Sequence, residues 1–204
     1  MLRIAVLLLF IAVLAGCKGS GKKTENSATK ENTVTELTDA GKPCLFDNPD
    51  TSLSNMVLRN SQSAESVLQQ KDLLGDTSYL FFSKDKMQVL EVNVHPGDGV
   101  SQVSIFKVRN ASAGVKATPT GIGDFVTEKG IKLGLTKAEL TSLLGNCYLA
   151  ADSSASSLTL NYRLETPQDT KTGFLKSQNM PIYYAVYKFI NDKLSEFEFG
   201  FEYP

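Results

Sequence analysis

The chain has no tryptophan, one histidine, three cysteines and seven prolines in 204 residues. With a single imidazole, any Ser–His–Asp or Cys–His constellation would have to be built on His95. That residue stands where an apolar alternation runs into Pro96-Gly97-Asp98-Gly99. One histidine with scattered carboxylates gives no zinc-ligand spacing. Neither Asp47-Asn48-Pro49-Asp50 nor Asp98 lies in a calcium-loop pattern. Charge of one sign is also missing: 21 Lys and Arg face 22 Asp and Glu, for a net charge of -1, with no basic block. Binding nucleic acid requires clustered cations to neutralise phosphates, so that class is excluded. No Gly-Lys-Ser/Thr follows Gly121-Ile122-Gly123-Asp124, so these glycines read as a linker and not a phosphate cradle. Without tryptophan, tyrosine must supply any sugar-stacking platform. Hydrolysis by two carboxylates stays open, because such acids need not be neighbours in sequence. Taken together, the absences point to a protein that is not an enzyme and uses no metal or cofactor.

Long apolar runs are confined to the N-terminus. Ile4 to Val13 is a ten-residue apolar stretch after Arg3, too short to cross a ~30 Å hydrocarbon core as a helix but long enough for a signal peptide. Leu14-Ala15-Gly16-Cys17 follows. Small residues before a cysteine, at the end of such a stretch, resemble the lipobox of bacterial lipoproteins; an ordinary secretory signal beside a chance cysteine is the alternative. The resemblance implies cleavage after residue 16 and a membrane anchor of two or three acyl chains on Cys17. Each buried methylene contributes ~0.8 kcal/mol, so several chains hold where one would not. Lys18, in place of an Asp, implies the outer and not the inner membrane. From Lys18 to Lys42 only Val34 and Leu37 are large and apolar. Such a stretch cannot bury enough surface to offset its ordering entropy, and reads as a tether over 17–43. Export also places Cys44 and Cys147 where a disulfide persists; two lone buried thiols are the alternative.

The remaining ~160 residues are enough for one domain or for two small halves sharing a core. Thr136 and Glu139 have the spacing of a capping box, and Leu135 and Leu140 that of a hydrophobic staple. With Leu143 and Leu144 on one face and Gly145 as the stop, they predict a helix over 137–144. Leu158, Leu160, Tyr162 and Leu164 alternate with polar residues, as do Phe197, Phe199, Phe201 and Tyr203, the period of half-buried strands. Ile182 to Ile190 joins the last strand through the turn Asn191-Asp192-Lys193. A second helix is expected from Ser61 or Ser63, carrying Ala64, Val67, Leu68 and Leu74 inward. Leu73-Leu74-Gly75-Asp76 echoes Leu143-Leu144-Gly145-Asn146, and Asp85-Lys86-Met87 echoes Asp192-Lys193-Leu194. The echoes predict two tandem helix-plus-β-meander units, 44–120 and 121–204, in an α+β fold of short helices packed on antiparallel sheet.

Gly134-Leu135-Thr136-Lys137-Ala138-Glu139-Leu140, closing in Leu143-Leu144-Gly145, resembles the helix motif of small bacterial lipoproteins of the SmpA/OmlA (BamE-like) type. Tandem helix-plus-sheet units of this kind also occur in β-lactamase inhibitor proteins, which bind another protein across the sheet. The match spans about a dozen residues and implies a fold, with no functional residue carried over. Two places are candidates for binding a partner. Ile182–Ile190 is apolar on both faces, so Tyr184 and Val186 either lie under cover or form an exposed patch. The seventeen-residue connection Glu165–Pro181 carries Phe174 and Leu175 among polar neighbours, either folded over the sheet edge or presented to a partner. The Glu196, Glu198 and Glu202 row reads as a solvated face with Arg163 or Lys188 opposite. The function expected is that of a non-catalytic protein-binding or scaffold lipoprotein of the cell envelope. An inhibitor of a secreted hydrolase or a glycan-binding accessory protein are the alternatives.

Overall fold

A computed structural model describes residues 44–68, 78–95, 102–154, 156–169 and 171–203. The signal peptide, Cys17 and its expected lipid, Lys18, the 17–43 tether and the Leu73-Leu74-Gly75-Asp76 echo lie outside the described residues. So does the turn after His95.

The chain folds around strands and not helices. A two-residue hairpin, β1 (Ser52–Leu53) and β2 (Met56–Val57), precedes a 3-10 turn over Gln62–Ala64 and a short helix α1 (Glu65–Leu68). Then come β3 (Ser78–Phe82), β4 (Gln88–His95), β5 (Gln102–Asn110) and β6 (Thr118–Pro119). After helix α2 (Lys137–Leu144) follow β7 (Leu149–Ala151), β8 (Ser157–Glu165), helix α3 (Phe174–Gln178), β9 (Ile182–Ile190) and β10 (Lys193–Glu202). Eight of these strands form one sheet in the order β6-β3-β4-β5-β10-β9-β8-β7, antiparallel except where β6 runs parallel to β3.

This overturns the α+β expectation of helices packed on antiparallel sheet in two tandem units. The fold is mostly β, built on a single mixed sheet to which both halves of the chain contribute. The physical reason lies in how the apolar residues are spaced. Five strands of eight to ten residues alternate buried side chains with half-buried or exposed ones, and these strands supply most of the buried surface. Over the sheet lie irregular segments: Phe46, Leu53, Met56 and Leu58 from the N-terminal side, Phe125 and Ile131 from the connection before α2, and Leu175 and Met180 from the connection before β9. Helix α2 adds only Leu140 and Leu144. The echo at the two hairpins pairs the wrong strands. Asp85-Lys86 turns β3 into β4, the first hairpin of a three-strand meander, whereas Asn191-Asp192 turns β9 into β10, the second hairpin of the next. The strand that matches β10 in position is β5, and β5 and β10 pair side by side, with Phe199 opposite Phe106.

Helix α2 occupies the residues that its cap specifies. The Thr136 hydroxyl accepts from the Glu139 N–H at 3.2 Å, and the Glu139 carboxylate accepts from the Thr136 N–H at 2.7 Å. Those bonds hold the Glu139 carboxyl below its ordinary range. Gly145 ends the helix at a φ of 79°, which costs glycine nothing. Thr136→Ala should lower unfolding free energy by about 1 kcal/mol, read from urea melts. An unchanged midpoint would mean the helix is held by packing alone. At the β9–β10 hairpin Asn191 and Asp192 both take positive φ, as a two-residue type I′ turn requires.

Gly121-Ile122-Gly123-Asp124 is not a free linker. Ile122 packs against the core, its carbonyl accepts from Lys84 N–H at 2.6 Å, and Asp124 pairs with Lys132 at 3.1 Å. One covalent tie closes this layer over the sheet: Cys44 and Cys147 form a disulfide with Cα atoms 5.3 Å apart.

Candidate functional site

The two faces of the sheet differ in chemistry. One carries Tyr183, Ala185, Tyr187 and Phe189 of β9 and Phe197, Phe199 and Phe201 of β10, all buried. Strand alternation puts Ile182, Tyr184, Val186, Lys188 and Ile190 on the other face. There Ile182, Tyr184 and Val186 are half-buried, with Ile105 of β5 and Leu80 of β3, and none of these joins the buried cluster.

Tyr184 sits directly across from Gly200, which is flanked on its other side by Ile105. With no side chain on Gly200, Ile105 and Tyr184 border a shallow apolar strip, and Val186 continues it beside Glu198. Around that strip the charges neutralise one another. Lys107 lies 3.4 Å from Glu196 and 3.2 Å from Glu198, and Lys188 lies 2.7 Å from Glu196. Arg163 makes a bidentate pair with Glu202, at 2.5 and 3.0 Å, and reaches Glu165 at 2.6 Å. The Glu row is therefore a paired network, with both Arg163 and Lys188 engaged. The Tyr184 hydroxyl donates to Glu198 at 2.7 Å; burial together with that carboxylate raises its pKa well above the ordinary tyrosine value.

Two of these carboxyls are held away from the range of a general acid. Burial alone would raise Glu196, but Lys188 and Lys107 outweigh it and hold the carboxyl below its ordinary range. Hydrogen bonds from Arg163 lower Glu202 in the same way. A general acid needs the opposite shift. His95 is stacked on Tyr203 with ring centroids 3.7 Å apart. Among the described residues, no three of His, Cys, Asp and Glu gather as a metal site would need. No helix among them is long and apolar enough to cross a membrane.

The other sequence candidates lie on the packed face. Leu175 is fully buried. Phe174 is half-buried, stacked on Phe201 at 5.8 Å and edge-on to Tyr183 at 5.8 Å. In this structure the 165–181 connection folds back over the sheet and turns these two side chains inward. Asp169 holds it there by accepting from Leu175 N–H at 2.6 Å. A cleft of about 240 Å³ opens beside the disulfide, between Tyr148, Asn161, Arg163 and Gln168; its guanidinium is already taken by Glu202 and Glu165.

Two parts of this arrangement lie outside the sequence expectations. One is β5, whose Phe106 and Val108 alternate with Lys107 and Arg109. The other is the close backbone approach at Gly200, signalled by a lone glycine inside a strand. In comparisons with known proteins, no family model, no curated protein and no solved structure matches the chain.

Proposed function

We propose that this chain is a non-catalytic, protein-binding lipoprotein of the cell envelope, anchored through Cys17 at the outer membrane, which engages an envelope partner over the strip formed by Ile105, Tyr184 and Val186. The observation that carries this reading is the strip itself: an aromatic and two β-branched side chains, half-exposed, inside a frame of charges already paired with one another. Interface centres are depleted in charge and enriched in tyrosine, with a polar rim. A frame neutralised in advance leaves no unpaired charge to desolvate when the strip is covered. Envelope location rests on Leu14-Ala15-Gly16-Cys17.

The test combines in-cell crosslinking of the full-length protein with two substitutions. Tyr184→Ala and Val186→Ser should each remove most of one reproducible crosslinked species. That species should map to Lys107 or Lys188. The thermal midpoint should fall by only a few degrees in each variant, because both side chains are half-exposed. Crosslinks that persist in both variants would place the interface elsewhere. Loss of folding in both would make the strip a structural element.

A further inference from the structure

Asp50 is the one fully buried carboxylate among the described residues. It lies on the segment 44–60, a strap that crosses the packed side of the sheet with Phe46, Leu53, Met56 and Leu58 pointing into the core. The strap is held by backbone bonds from Ser54 N–H to the Val126 carbonyl at 2.9 Å and from Glu128 N–H to the Ser52 carbonyl at 3.3 Å. Asp50 itself is poorly accommodated: neither Oδ1 nor Oδ2 accepts a hydrogen bond of good geometry, and the Thr127 hydroxyl and Lys129 backbone N–H beside it lower its pKa by less than burial raises it. The Lys129 ammonium stands 3.9 Å from Oδ1 but donates to the Pro49 carbonyl at 3.1 Å. The Tyr183 hydroxyl is spent on the Asp50 backbone carbonyl at 2.8 Å. The Tyr187 hydroxyl, also buried, has no partner. The groups that face the carboxyl are therefore the Lys129 ammonium, the Glu128 carboxylate, the Thr127 hydroxyl and the phenols of Tyr183 and Tyr187. One cation just outside hydrogen-bond range, with the Thr127 hydroxyl and the Lys129 backbone N–H, compensates the buried negative charge only in part.

We propose that Asp50 is a proton-operated latch on this strap: protonated, it lets residues 44–60 lie closed on the sheet, and ionised, it loosens them while the Cys44–Cys147 disulfide keeps the strap attached. Burial pushes the carboxyl from its ordinary 3.8 up to about 6, against the pull of Lys129. In an open strap the group returns to water and its ordinary value. The closed state then holds the proton more tightly than the open state. Closure is favoured below pH 4, weakens as pH rises through the interval from about 4 to about 6, and levels off above it. The carboxyls held low elsewhere, among them Asp85, Glu139 and Glu202, act with the opposite sign, since their contributions are lost as pH falls. Only a measurement local to the strap separates the two.

That measurement is hydrogen exchange of the strap amides Ser54, Leu58 and Arg59, which bond to the Val126, Thr51 and Val103 carbonyls. Rates are corrected for the intrinsic pH dependence of exchange. Between pH 4.5 and pH 7 the opening of the strap should increase about twentyfold in the unaltered protein. In Asp50→Asn it should stay closed at both. Equal opening of the unaltered protein at the two pH values would overturn the proposal, and so would an increase that persists in Asp50→Asn. Lys129→Met should open the strap at both pH values, because the bond to the Pro49 carbonyl is lost, and by a larger factor at pH 7 than at pH 4.5, because the ionised Asp50 also loses its cation. Should Asp50→Asn not fold, the ¹³C titration of the Asp50 carboxyl in the unaltered protein decides. A midpoint above about 5 supports the latch, and one at or below that refutes it.

Discussion

Breaking the Cys44–Cys147 disulfide is expected to cost on the order of 4 kcal/mol of unfolding free energy, one of the two largest single losses expected in this fold. The two cysteines are 103 residues apart in sequence. In the chain-entropy view, a cross-link closing so long a loop removes ~4–5 kcal/mol of freedom from the unfolded ensemble. The bond also holds a particular part of the molecule. Cys44 begins the strap that carries Phe46, Leu53 and Met56, and Cys147 follows α2 and leads into the edge strand β7. Neither the strap nor β7 has a long run of sheet hydrogen bonds of its own: β1 and β2 pair with each other and otherwise only through single bridges, Leu53 to Thr127 and Val57 to Asn60, and β7 pairs at three positions with β8. Reduction therefore releases the layer that is least able to hold itself down. For a folded part of this size, the midpoint of thermal unfolding should fall by roughly 10 °C in reducing buffer. A Cys44→Ala, Cys147→Ala variant should show the same fall without reductant. A loss below about 1 kcal/mol in both would mean that the unfolded chain already keeps residues near 44 and 147 together.

What could be read in advance follows from how local each signal is. Helix α2 was legible to the residue because its cap, staple and stop lie within Leu135–Gly145 and need nothing from elsewhere. Strands β8, β9 and β10 were legible because their alternation is long and their hairpin turn is made by Asn191 and Asp192. The class of the fold was not legible, for two physical reasons. First, the cover over the sheet is supplied by stretches without period, such as Phe46 to Leu58 and Phe125 to Ile131, where single apolar residues are anchored by long-range bonds that no spacing announces. Second, a hairpin turn identifies a hairpin and not its place in a meander: Asp85-Lys86 matches Asp192-Lys193 in composition, yet β5 and not β4 is the counterpart of β10. The candidate site was half legible. Apolarity on both faces of β9 singled out Tyr184 and Val186, but the choice between cover and exposure is a tertiary fact. Phe174 and Leu175 show the same ambiguity resolved the other way: two apolar residues in a polar loop pack inward, because α3 places Phe174 against Phe201 and Tyr183 and Leu175 in the core.

The other large effect is expected at the seam between β5 and β10. Gly200→Ala should destabilise the protein by about 3 kcal/mol, although a methyl group added to a strand ordinarily helps by reducing the freedom of the unfolded chain. The reason is distance. A Cβ on Gly200 would lie 2.2 Å from the Ser104 carbonyl oxygen and 2.8 Å from the Ile105 Cα. Both are backbone atoms, so no side-chain rotation relieves the overlap, and β5 would have to move away from β10 along the pairing that joins the two meanders. Forcing even one carbon into a close-packed site typically costs 1–3 kcal/mol, and more when backbone must shift. The same movement would pull Ile105 away from Tyr184 and widen the strip assigned to partner binding. Urea unfolding of Gly200→Ala measures the first effect, and crosslinking through Lys107 and Lys188 measures the second. The Tyr184→Ala, Gly200→Ala double variant separates them. If the damage is confined to backbone overlap at β5, removing the Tyr184 ring leaves the penalty of Gly200→Ala unchanged. A Gly200→Ala protein as stable as the original would mean that β5 and β10 are farther apart in solution than this register places them.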